Sequence, residues 1–200
     1  MAELVFDVAD VSIIPLLIDE RTIMKLEVSD AMYTLYVGVA VDSIVDTVIS
    51  VAANMVFTLL MFAISQVGWE NFGEVYPWSL FNFIVFSALF MVIAAVARTG
   101  STAIHTAMPF MLIFLIYNNF FVTRSSVEPW LEWLIWISPV AYSLEQISCT
   151  VFDGDPVIDL NGYICTSRQT TIAVAVMLGE FFLFRILHVV LLRNLNNIQR

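Results

Sequence analysis

The chain has 200 residues, of which 60% are apolar and 13% charged, with a mean hydropathy of +0.88. A soluble domain carries roughly 25% charged residues because its surface must be wetted, so this composition excludes an ordinary water-soluble fold and makes lipid the solvent. The net charge of −10 argues equally against nucleic acid as a partner, since phosphate recognition needs clustered Lys and Arg.

Nine of the 18 acidic residues precede residue 50: Glu3, Asp7, Asp10, Asp19, Glu20, Glu27, Asp30, Asp42 and Asp46. That predicts a watery or interfacial N-terminal third followed by a membrane-embedded remainder. Residues 1–20 have no basic start, and Asp7 and Asp10 break their apolar stretch, so no cleavable signal is expected. Residues 1–18 are too short and too charged to cross alone. They read either as an interfacial helix or, on span length, as the tail of a helix whose first half is missing. A cytoplasmic segment, 19–32, follows.

Spans are expected at about 45–65, with the helix starting earlier near Tyr33, and at about 76–97, opening on Tyr76 and Trp78. Two more are expected at about 104–122, with Pro109 inside, and at about 171–192. Each approaches the ~20 residues that cross ~30 Å of hydrocarbon. Segment 127–147 is also apolar but carries Glu128, Pro129, Glu132, Pro139 and Glu145, and reads better as a re-entrant or interfacial helical hairpin. The expected architecture is thus all-α: a polytopic transmembrane bundle of about four spans plus an external re-entrant hairpin. Its parts are 1–18, a partial or interfacial helix; 19–32, the cytoplasmic segment; 33–122, three transmembrane helices; 123–170, the external loop and hairpin; and 171–200, the last helix and tail. With four spans, Arg21, Lys25, Arg98, Arg193 and Arg200 share one side, against Arg124 and Arg168 on the other. The positive-inside rule then places both termini in the cytoplasm, and the plasma membrane is the expected location.

Cys149 and Cys165 lie in the external segment among turn residues such as Gly154, Pro156 and Gly162. They read as a disulfide of an oxidising compartment, with two free thiols as the alternative. Trp130, Trp133 and Trp136 follow one another at i, i+3, i+6. They make either a lid over a substrate path or an aromatic belt at the interface. Glu180 and Arg185, with His188 beyond, lie in the last span. Such residues default to functional hypotheses, here an ion or proton relay. The alternative is Glu180 paired to another helix, with Arg185 and His188 snorkelling to the headgroups. Asp42 and Asp46 are explained by interfacial solvation. No phosphate-cradling loop, catalytic motif or metal-ligand cluster can be drawn, and His105 and His188 stand isolated. No catalytic residue, metal site or bound cofactor is therefore expected in this chain.

Three stretches carry a family likeness. They are Pro15–Tyr33 (PLLIDERTIMKLEVSDAMY), Asn119–Val127 (NFFVTRSSV) and Pro129–Phe152 (PWLEWLIWISPVAYSLEQISCTVF). The last, with its Trp-x-Ser-Pro and Ala-Tyr series, is the most specific. Together they resemble the ABC-2 type transmembrane domain of the G branch of ABC transporters, particularly the pleiotropic drug resistance group. The resemblance implies the third to sixth helices of one six-helix half, with residues 1–18 as the end of the second. It implies ATP-driven export of small amphipathic molecules or lipids, with ATP and Mg held by a partner nucleotide-binding ATPase domain. A second transmembrane half and membrane lipids are the other implied partners. Coupling to the ATPase falls to Glu20, Arg21 and Glu27, and the external element above the exit path to hairpin 127–150, with Trp130, Trp133, Trp136 and Pro139. For the substrate path, the mixture of aromatics and amides in the third span points to Phe114, Tyr117, Asn118 and Phe121, although helix packing explains them as well. The chain departs from the family in reading IVDTVIS where a Pro is common. Two other classes stay open. One is an ATP-independent channel or proton-coupled carrier using Glu180, Arg185 and His188; the other is a non-transporting membrane interaction protein.

Overall fold

In the computed structural model, the described residues are 14–65, 68–124, 126–152 and 162–194. The readings placed on Glu3, Asp7, Asp10, the turn residues 153–159 and Arg200 lie outside them. The described residues form seven α-helices and one 3-10 turn, with no strand. The helices are α1 (Ile14–Ser29), α2 (Leu35–Ser65), α3 (Phe72–Val96), α4 (Gly100–Ile116), α5 (Glu132–Ile137), α6 (Pro139–Val151) and α7 (Ser167–Asn194).

The bundle is organised around α3, which packs against α1, α2, α4, α6 and α7. From Asn82 to Ala95 every α3 residue except Ile84 is buried. A helix apolar on all sides belongs in the middle of a bundle. The outer helices meet it along stripes of period four. On α2 the buried residues Ser50, Asn54, Thr58 and Phe62 form one such stripe, and Asn54 Nδ2 donates to Ser79 Oγ of α3 at 3.2 Å. On α7, Gln169, Ala173 and Met177 do the same, and the last two pack with Val85. Small and polar residues let helices approach closely and exchange hydrogen bonds where lipid offers no hydrophobic drive. The opposite faces, such as Ile44, Val48 and Ile64 on α2 and Phe182, Leu183 and Ile186 on α7, are exposed apolar surface. So much bare apolar area suits acyl chains and not water.

Direction follows from the clusters. Ala95, near the end of α3, packs with Val39 near the start of α2 and Leu192 near the end of α7. Hence α2 leaves the end where α1 lies, and α3 and α7 return to it. Three helical segments are long and apolar enough to cross a membrane: Leu35–Ser65, Trp69–Val96 (the 3-10 turn plus α3) and Ser167–Asn194. The fourth, α4, is shorter at 17 residues.

That shortness corrects the expectation of a helix over 104–122. The helix starts earlier, where Thr99 Oγ1 accepts the Thr102 amide as N-cap, and stops at Ile116. Asn118 Oδ1 accepts the amides of Phe120 and Phe121 at 2.9 and 3.1 Å. Asn119 takes a left-handed backbone, φ 61°, and its Oδ1 accepts the Arg124 amide. Asparagine offers the chain these local bonds in place of a further helical turn.

The hairpin is two helices broken at Ser138, with Pro139 at the first turn of α6, where its missing N–H costs nothing. At the other end of the chain, α1 terminates in a Schellman motif. The Met32 amide donates to Glu27 O and the Ala31 amide to Val28 O, with Ala31 left-handed at φ 59°. Glycine is the usual residue there.

Two substitutions check this seam. Ala31→Gly relieves the strain and should raise stability by about 1 kcal/mol. A Cβ at Gly38 would sit 2.6 Å from Tyr33 Cε2 and 3.1 Å from Met24 Sδ. Gly38→Val should therefore cost about 1–3 kcal/mol by overpacking. Thermal unfolding in detergent reads both signs.

Candidate functional site

At the α1 end, helices α1, α2, α3 and α7 enclose a cavity of about 410 Å³. Four carboxylates line it, Glu20, Glu27, Asp42 and Asp46, with Arg21 and His188. All three residues expected to serve coupling thus share one cleft, in different states. Glu20 is solvent-exposed on α1, and partial burial, followed by the nearby charges of Asp42 and Asp46, pushes its carboxyl above the usual range. Glu27 accepts the Tyr33 hydroxyl at 2.6 Å, and that bond helps push the Tyr33 phenol up to about 12.

Arg21 is turned inward. It is 6% exposed, and its Nη1 donates to the carbonyls of Ala94, Ala95 and Ala97 at 2.7, 2.9 and 3.0 Å. Ala94 and Ala95 lie in the last turn of α3 and Ala97 is its C-cap, so these carbonyls have few intrahelical partners, and a cation suits the negative end of the helix dipole. Burial draws the guanidinium down from its ordinary value.

One helical layer deeper, Arg185 of α7 crosses to α2 and α3. Its Nη1 donates to Ser43 Oγ and Met91 Sδ, each at 2.8 Å. Its Nη2 lies 3.5 Å from Asp46 Oδ2, an oxygen that also accepts the Ser87 hydroxyl at 2.7 Å. The Arg185 guanidinium also stacks over Phe181, 5.3 Å from the ring centroid. Arg185 therefore does not snorkel, and Asp46 is not simply solvated. The cost of an ionised side chain among apolar helices favours this internal pairing. Glu180, in contrast, has no ion pair among the described residues, and its Oε2 is buried without a hydrogen-bond partner.

At the other end, a carboxylate that sequence reading counted only as a charge in the hairpin takes a central place. Glu145 of α6 is fully buried. It accepts the Ile164 amide at 2.9 Å and Gln169 Nε2 at 3.3 Å, and lies 3.6 Å from Arg124 Nη2. A buried charge demands such partners, and the sole sequence signal was one Glu amid apolar residues beyond Ala141 and Tyr142. The Cys149–Cys165 disulfide is present and closes the same junction of α6 and α7.

The other expected site residues do not converge. Phe114 packs edge-on against Phe86 of α3, 5.7 Å between centroids. Asn118 is fully buried in its own turn, Tyr117 caps α4 and Phe121 is exposed. None of these four lines the cleft. Trp133 and Trp136 lie on α5, while Trp130 precedes it, so the three indoles do not share one regular helical face. All three are exposed. Arg124 sits 4.7 Å from the Trp136 ring centroid, and Pro139 is buried at the hairpin break.

A protein-family model described as ABC-2 type transporter matches residues 9–152. Among curated proteins, the ABC multidrug transporter atrH of Aspergillus oryzae is 29% identical over 137 residues, 68% of this chain and 9% of that protein. The ABC multidrug transporter atrA of the same organism is 23% identical over 181 residues, 84% of this chain and 12% of that protein. The ABC multidrug transporter MDR3 of Trichophyton rubrum is 32% identical over 117 residues, 56% of this chain and 8% of that protein. The chain thus spans about a tenth of the length of these relatives.

The geometry predicts two results. For Glu20, a carboxyl raised in the folded state adds stability only where it is protonated and loses it as pH rises through its pKa. Glu20→Gln should therefore raise the melting temperature at pH 7, with the gain vanishing below the carboxylate range. In a double-mutant cycle, Asp46→Ala and Arg185→Ala should each cost about 1–3 kcal/mol, and the double variant less than their sum, since each single change strands the other charge. Chemical unfolding of the four forms reads the coupling.

Proposed function

The chain belongs to the ABC-2 type transporter family, and on that premise we propose that it forms the membrane-embedded part of an ATP-driven exporter of small amphipathic molecules or lipids. The observation that carries this reading is the family match over residues 9–152, which takes in α1 through α6. The chain is a membrane module without catalytic chemistry of its own. ATP and Mg belong to a partner nucleotide-binding domain, and a second transmembrane half completes the pathway. Binding of ATP there supplies the differential free energy between inward-open and outward-open packings.

In this reading α2, α3, α4 and α7 are four crossings, with residues 117–122 completing the third in non-helical form. Both termini are cytoplasmic, in the plasma membrane, and 19–32 is the coupling segment. Arg21 is committed to α3, which leaves Glu20 and the exposed rim of α1 to meet the ATPase. Hairpin 127–150 is the external re-entrant element. Support for re-entry comes from Val140 and Tyr142, which share clusters with Phe86 and Val85 midway along α3. Tyr117 and Phe121 remain the proposed path-facing residues, with Phe114 and Asn118 behind them.

One observation favours a different class: Glu180 lacks an ion pair among the described residues. It would serve an ion- or proton-coupled carrier, although the Arg185 of that scheme is already held by Asp46 and Ser43.

Co-purification of the tagged chain in mild detergent, with bound proteins identified by mass spectrometry, tests the choice. Recovery of an ATPase with a phosphate-binding loop, weakened by Glu20→Lys, is the expected result. Recovery of the chain alone, with ATP-independent flux in liposomes that is lost on Glu180→Gln, would overturn the exporter reading.

A further inference from the structure

α1 meets the bundle along its length, with Ile14 and Ile18 buried in one cluster with Phe86, Phe90, Ile93 and Ala94 of α3, and three further contacts stand out. At its start, Pro15 packs so closely on Gly100 that a Cβ there would lie 3.2 Å from Pro15 Cβ, which ties α1 to the first residue of α4. At its middle, Arg21 donates to Ala94, Ala95 and Ala97. Near its end, Met24 and Tyr33 close on Gly38 of α2. The first and last of these are apolar contacts that can slide. The middle one is directional: one guanidinium nitrogen converges on three carbonyls at the end of the helix that every other long helix packs against.

We propose that Arg21 is the positioning residue that makes α1 and α3 move as a single body. Any displacement of α1 then reaches the centre of the bundle through the C-terminus of α3. Two physical arguments support this. The carbonyls at a helix end need donors, and a single Arg21 nitrogen serves those of Ala94, Ala95 and Ala97 together. Charged hydrogen bonds in a dry setting are also short and strong, so this contact is the stiffest of the three. The consequence for transport rests on reading 19–32 as the coupling segment; the mechanical claim does not.

The test places nitroxide labels at Leu26→Cys on α1 and Arg98→Cys just beyond α3, both exposed positions. The native cysteines are bonded to each other, so only the introduced thiols react. Pulsed electron-electron resonance on the full chain in lipid nanodiscs then reads the distance distribution. A single narrow distance is expected with Arg21 in place. Arg21→Gln should raise the detached, broad population about tenfold or more, the worth of one charged hydrogen bond. Arg21→Lys, which keeps the charge and part of the donor set, should fall between. An intact disulfide and unchanged helix content check folding, and if the Gln variant does not fold, Lys against wild type decides. Unchanged distributions, or equal broadening in Gln and Lys, would overturn the proposal. In the assembled exporter, Arg21→Lys should preserve ATP hydrolysis while transport per ATP falls; a broadened distance upholds the mechanical claim, and unchanged transport beside it would overturn only the consequence for coupling. Absence of any ATPase partner for the wild-type chain would instead count against the coupling reading, whatever the distances show.

Discussion

A helix that ends inside a packed bundle must find donors for its last carbonyls, and the bundle here is arranged around how α3 meets that demand. Its C-terminus lies where α1, α2 and α7 converge, and water is replaced there by the Arg21 guanidinium. Placing that cation requires α1 to lie across the end of α3. This in turn requires the tight Schellman reversal at Ala31 and the bare Gly38 against which Tyr33 rests. The acidic cleft is the space left beside this junction. Partial burial and then the charges of Asp42 and Asp46 raise Glu20, yet Arg21, which also lines the cleft, points away to backbone oxygens.

The same economy recurs at two other levels. Midway, Asp46 gathers Arg185 and Ser87 from two different helices. At the hairpin, Glu145 gathers a backbone amide, a carboxamide and Arg124. In each case one ion is matched by donors from two or more elements, which fixes register as well as satisfying charge. Apolar packing alone does not select one rotation of a helix over another among lipid-like surfaces. These polar points do.

Much of the architecture was legible in the sequence because lipid imposes length and hydropathy on every crossing segment. The long helices, the Ser-Pro break of the hairpin and the cysteine pair all follow from local patterns. The limits of legibility are equally physical. The stop at Ile116 depends on Asn118 and Asn119 choosing their own backbone as partner, which an apolar run around them conceals. Arg21 reads as a surface coupling residue because its partners, 73 to 76 positions away, are anonymous alanine carbonyls. Asp46 and Arg185 are separated by the whole length of the bundle in sequence, so their pairing leaves no local trace. The acids of the hairpin looked alike, and only packing distinguishes buried Glu145 from exposed Glu128.

The unequal heights of the helices have a further consequence for the surrounding film. At 1.5 Å per residue, the 31 residues of α2 span about 46 Å, well beyond ~30 Å of hydrocarbon. The 17 residues of α4 reach about 25 Å. A bilayer of uniform thickness cannot match both flanks. With α4 read as a crossing, the long side must tilt or stand proud, while beside α4 the bilayer must thin or the non-helical residues 117–122 must make up the remaining depth. The self-paired amides of that turn make the second outcome inexpensive. On that reading, the two flanks of the protein differ in helical height, and bilayer thickness becomes a variable that acts on them in opposite directions.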